Sequence, residues 1–124
     1  MSIVLFSTGK KHVCEHLQRA IEKVVPGDKI EIYRTIDSLS SRLRQPKGNL
    51  KVVVVLASDN RELDEILSLR DLLSDVRIIL ILPDKKKLTV SKGHKLFPRF
   101  LSYTDSNFDD VSAVLQKMIN NQPI

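Results

Sequence analysis

The stretch that most restricts this chain is Leu50-Lys51-Val52-Val53-Val54-Val55-Leu56-Ala57, in which four valines stand in succession. β-Branched side chains crowd a helix but suit a pleated strand. A strand with one wet face alternates apolar and polar residues, and this one does not, so helices are expected to cover both of its faces. Strands covered in this way lie in parallel sheets and are joined by right-handed helical crossovers. The remainder of the chain therefore has to supply strands and helices in alternation.

It does so along its whole length. Ile3 to Thr8 is an apolar run ended by Gly9, which predicts a buried first strand. Val13, Leu17, Ala20, Ile21 and Val24 recur at the helical period until Pro26-Gly27-Asp28 stops them. Ile30, Ile32 and Arg34 predict a second strand. Thr35 and Asp37 are the candidate caps of a second helix, whose Ile36, Leu39 and Leu43 share a face up to Pro46-Lys47-Gly48-Asn49. After the valine strand, Asp59-Asn60-Arg61-Glu62 has capping-box spacing ahead of Leu63, Ile66, Leu67 and Leu73, which predicts a third helix reaching Ser74-Asp75. Val76 to Leu82 repeats the buried-strand pattern and closes at Pro83-Asp84, and the lysine run with Gly93 predicts an irregular fourth helix. Phe100 to Tyr103 is the last strand. Asp105 to Phe108 then lead into a helix bearing Val111, Val114, Leu115, Met118 and Ile119 at i, i+3, i+4, i+7 and i+8.

Five such alternations in 124 residues, with no linker and no repeat, predict one domain over residues 1–124. The expected fold class is an α/β three-layer sandwich, a five-stranded parallel sheet of order 2-1-3-4-5 with helices on both faces. An apolar fraction of 42% and a charged fraction of 28% suit a globular protein that builds its core without disulfides. The longest apolar runs fall far short of the roughly 20 residues that a bilayer requires. No basic region or small-residue cleavage site marks the amino terminus, and the single cysteine, Cys14, excludes an internal disulfide. A cytoplasmic, non-membrane protein is expected.

The net charge of +5 is local. Lys85, Lys86, Lys87, Lys92, Lys95 and Arg99 face only Asp84 within residues 84–99, which leaves fourteen basic and fourteen acidic residues elsewhere. Neither a helix-turn-helix, an aromatic platform nor a zinc module accompanies this patch, so a solvated loop or a protein-docking patch is preferred to nucleic-acid binding.

In an open parallel sheet of this order, ligands bind at the carboxyl ends of the strands near the switch point. That rule selects Ser7 to Lys10, Ala57 to Asn60, Leu82 to Asp84 and Tyr103 to Ser106. Ser7-Thr8-Gly9-Lys10 follows a strand and opens a helix, where amides favour an anion, but the glycine spacing of a Walker A motif is missing. His12 and His16 could share a helix face, yet two ligands make half a zinc site, so a solvated face is preferred and no metal is expected.

The order of elements, the length and the apolar strands resemble the receiver domain of bacterial response regulators over nearly the whole chain. The resemblance implies a signal-transduction domain with an acidic pair after the first strand, an acceptor aspartate after the third, a hydroxyl after the fourth and Lys-Pro after the fifth. In the family, the carboxylates hold Mg²⁺ while hydroxyl and lysine engage the phosphoryl oxygens. Here Phe6-Ser7 or Ser7-Thr8 stands for the acidic pair, Asp59 is displaced and is read first as a helix cap, Leu82-Pro83 stands for the hydroxyl, and Thr104 or Asp105 for the lysine. Ser7, Thr8, Ser58, Asp59, Pro83 and Thr104 thus form a degenerate pocket, as in pseudo-receivers. This implies a non-catalytic module that needs no cofactor and binds a protein partner, a second copy of the chain being one candidate. The family's usual contact face, the fourth helix, fifth strand and fifth helix, would here carry Lys85, Lys86, Lys87, Lys92, Lys95 and Tyr103. The alternative is a flavodoxin-like protein that binds a small anion or nucleotide at the first strand-to-helix loop.

Overall fold

The structure, a computed structural model, describes residues 2–9, 11–46, 48 and 50–120. Lys10, Lys47 and Asn49, each part of a stretch singled out in the sequence, lie outside the described residues. The strands are β1 (Ser2–Ser7), β2 (Ile30–Tyr33), β3 (Leu50–Leu56), β4 (Arg77–Leu82) and β5 (Phe100–Tyr103). The helices are α1 (Lys11–Glu22), α2 (Ile36–Arg44), α3 (Asn60–Leu67), α4 (Lys87–His94) and α5 (Asp109–Asn120). All strand pairs are parallel, and the order is β2-β1-β3-β4-β5.

Two apolar layers sandwich this sheet. Val53, Val55 and Ala57 join Val4, Phe6, Leu80 and Leu82 against α2, α3 and the region of α4. Val52, Val54 and Leu56 join Ile3, Leu5, Ile79 and Ile81 against α1 and α5. The absence of polar alternation in β3 thus reflects two dry faces, and each of these side chains larger than Ala57 contributes about 1.5–3 kcal/mol of gross burial free energy. Leu50 shares the face of Val53 although three positions separate them. The reason is a register shift: Ser2 pairs with Leu50 and Ile3 with Val52, which leaves Lys51 as an extra, exposed residue.

Several boundaries differ from the sequence reading. Thr8 and Arg34 fall just beyond β1 and β2. Helix α2 is capped by Thr35 alone, whose Oγ1 accepts the Ser38 N–H at 3.1 Å while Ser38 Oγ accepts the Thr35 N–H at 3.4 Å. Asp37 lies in the first turn, where its charge meets the helix dipole. Helix α3 stops at Leu67 instead of reaching Ser74, because the Ser68 N–H is shared among the Asp64, Glu65 and Ile66 carbonyls and the chain tightens into successive turns. Leu69 and Leu73 remain buried in the same layer, so apolar spacing persisted where the helix did not. Helix α4 is regular but short. Its Thr89 and Gly93 face the sheet, and a methyl group on Gly93 would lie 3.2 Å from side-chain carbons of Leu80 and Leu82.

At the β2 edge, Glu31 accepts hydrogen bonds from Arg42 Nε at 2.7 Å and from Tyr33 Oη at 2.8 Å. The Arg42 hydrogen bond is the main reason that the Glu31 carboxyl titrates below its ordinary value of 4.5. A depressed carboxylate stabilises the fold fully above its unfolded-state pKa, and that contribution fades as pH falls through the lower folded value. Glu31→Gln is expected to cost about 0.5–1 kcal/mol at pH 7, the pair being partly exposed. In denaturant titrations the difference from the unsubstituted chain should shrink below pH 4.5.

Candidate functional site

The loops after β1, β3, β4 and β5 meet at one rim of the sheet, as parallel strands require. Ser7 is fully buried at the end of β1, and its Oγ has no hydrogen-bond partner among the described residues. The Thr8 hydroxyl donates to the Glu62 carboxylate, and the other oxygen of that carboxylate accepts the Ser58 N–H at 3.3 Å. One side chain on α3 therefore ties together the loops that follow β1 and β3. Asp59 is extended, and its Oδ1 accepts the Glu62 N–H at 2.8 Å, so it caps α3.

Glu62 departs from the capping-box expectation by one residue. It reaches Ser58 where a reciprocal box would engage the amide of Asp59 itself. Its capping position was readable from the sequence, but its contact with Thr8, 54 positions away, was not.

Gly9 and Ser58 come close together at the rim, where two clefts open. A methyl group on Gly9 would overlap Ser58 Oγ and would stand 3.9 Å from Ser7 Oγ, so the glycine permits this close approach. On the α1 side, a cleft of about 170 Å³ is lined by Gly9, Val13, Leu56, Ser58 and Thr104. On the α2 side, Thr8 and Asp59 line a cleft of about 510 Å³ together with Arg34, Arg61, Glu62 and Glu65. Arg34 also donates to the Gly9 carbonyl at 3.0 Å. Pro83 lines neither, and its carbonyl accepts the Thr104 hydroxyl at 3.3 Å. The six pocket positions named from the sequence thus gather at the rim, but in separate compartments. Among the described residues, no group of three or more His, Cys, Asp and Glu side chains is arranged to hold a metal ion. Cys14 is buried in the α1 layer, and the His16 ring packs against Phe108 at 5.0 Å between centroids.

The lysine patch also separates. Asp84 accepts the Lys86 N–H at 2.9 Å, which turns the chain into α4 and leaves Lys85, Lys86 and Lys87 exposed at the rim. The Lys85 ammonium sits 5.1 Å from the centroid of the Tyr103 ring, within cation–π range. Leu88, 67% exposed, follows directly. Lys92 instead points at α3, where its Nζ is 3.0 Å from Asp64 Oδ1. Lys95 lies past the other end of α4, beside Leu96 and Phe97. The structure therefore sets Lys85 against Tyr103, with Lys86 and Lys87 exposed next to it in the chain, and places Lys92 and Lys95 elsewhere.

No family model matches the sequence, and no curated protein matches it significantly. Among solved structures, a response regulator from Thermotoga maritima superimposes with a TM-score of 0.64 at 12% identity, covering 98% of this chain and 99% of that one. A protein described as pilus assembly-related, from Burkholderia pseudomallei K96243, gives a TM-score of 0.64 at 17% identity, covering 94% of this chain and 90% of that one. The fold is thus flavodoxin-like and receiver-like, carried by topology without sequence similarity. No helix among the described residues is long and apolar enough to cross a membrane.

Because Asp59 serves as a cap, its substitutions should follow cap chemistry. Asp59→Ala is expected to lower unfolding free energy by about 1 kcal/mol and Asp59→Asn to leave it nearly unchanged, as read by urea denaturation.

Proposed function

We propose that this chain is a receiver-like signalling module that acts by binding a protein partner, without phosphoryl transfer or other catalysis of its own. The observation that carries this reading is the use made of carboxylates at the rim. Asp59 caps α3, Glu62 joins two loops and Asp84 shapes a turn. A magnesium-dependent phosphoryl acceptor needs carboxylates that converge on one cation, with a hydroxyl and a cation for the phosphoryl oxygens. Ser7, Ser58, Pro83 and Thr104 occupy those strand ends here.

The docking face of this reading is formed by Lys85, Lys86, Lys87, the exposed Leu88 and Tyr103, and it suits an acidic partner surface with an apolar residue at its centre. A cytoplasmic location fits such a role. Incubation with a small phosphodonor and Mg²⁺ should leave the chain unlabelled by intact-mass measurement. Stoichiometric, base-labile phosphorylation of Asp59 would overturn the reading.

A second reading is favoured by one specific observation, the buried and unpartnered Ser7 Oγ close to the 170 Å³ cleft. Buried hydroxyls are nearly always hydrogen-bonded, so a small anion seated in this cleft beside Gly9 and Ser58 would complete this one. A thermal-shift series with inorganic phosphate, nucleotides and flavins decides between the two, since a ligand that binds the folded state must raise its melting temperature. The signalling reading expects no shift; a rise of several degrees that Ser7→Ala abolishes would establish the anion site in its place.

A further inference from the structure

At the amino-terminal edge of the sheet, opposite the rim, α4 ends in a conformation that apolar burial does not explain. Leu96 turns inward and is buried, while the next residue, Phe97, is 89% exposed with φ +51°. Its N–H donates to the His94 carbonyl at 3.0 Å and closes the helix, a left-handed position that glycine ordinarily fills. Nothing in the local backbone calls for a bulky ring there, and Pro98 follows immediately. The ring borders a hollow of about 400 Å³ with an apolar floor of Leu73, Val76 and Leu96, and at 89% exposure it does not fill that hollow itself.

The rim of the hollow carries both signs of charge, Arg70 and Lys95 against Asp71. A two-fold contact requires a surface complementary to itself, and this patch presents a projecting ring beside a hollow and cations beside an anion. A partner of one charge sign would meet a like charge on either side of the hollow. We propose that this chain forms a two-fold dimer in which Phe97 of each copy seats in the hollow of the other, with Asp71 set against the cations across the axis. One buried aromatic anchor per copy is the usual energetic centre of such a contact. The lysine face lies at the other end of the strands, so the dimer leaves it open and does not depend on the signalling reading.

Sedimentation velocity from about 1 µM to about 1 mM covers the affinity range of a contact this small. The unsubstituted chain should pass from monomer to dimer across that range, and its melting temperature should rise with concentration. Phe97→Gly suits the positive φ, so its monomer should melt no lower than the unsubstituted monomer while its dimer dissociation constant rises at least ten-fold. Should Phe97→Gly fail to fold by circular dichroism, Phe97→Ser is measured in its place. Asp71→Lys should weaken the dimer, and adding Lys95→Asp should restore it. A chain that stays monomeric throughout gives the patch to some other occupant and overturns the proposal, as does a dimer equally strong without the Phe97 ring.

Discussion

The architecture rests on hiding the central strands from water on both faces. Once Val52 to Leu56 are covered above and below, their backbone groups must find partners within the sheet, and β1 and β4 supply them. The covering helices must then come from crossovers between parallel strands, which sends every strand out of the sheet at the same rim. The position of any binding chemistry is in this sense a by-product of core burial. Its nature is decided separately, by the few residues the loops place there.

Those residues are drawn into structural work. Glu62 faces a threonine hydroxyl and a serine amide, Asp59 faces its own helix, and Asp84 holds the amide that starts α4. Each contact satisfies polar groups that loops between tightly packed elements would otherwise leave without partners. The pair formed by the Asn60 amide and the Thr89 hydroxyl, 3.1 Å apart, extends the same network from α3 to α4. Carboxylates spent in this way keep the loops in place, and the cationic groups beyond them are left facing solvent beside Tyr103.

The strands could be read from the sequence because each depends on a local rule, and their order followed from the few topologies that five strand-helix alternations allow. Four valines in a row suffice to demand a doubly covered strand, and Asp59 with Glu62 three positions on announces a helix start. The end of α3 could not be read, because Leu69 and Leu73 keep helical spacing while the backbone they sit on turns in shorter loops. Nor could the division of the lysines. Lys92 lies within a basic run, but its direction is set by Asp64 on a neighbouring helix, a relation that no sequence window contains. The outward turn of Phe97 is similarly hidden, since an aromatic residue next to Leu96 reads as core until the backbone angle is known.

The single thiol gives the molecule a built-in gauge. Cys14 lies 3% exposed on the inner face of α1, in a layer shared with α5, so an alkylating reagent reaches it only when that layer parts. With one sulfhydryl in the chain, the rate of modification counts such openings directly, and a slow, denaturant-sensitive rate would locate α1 among the last elements to yield.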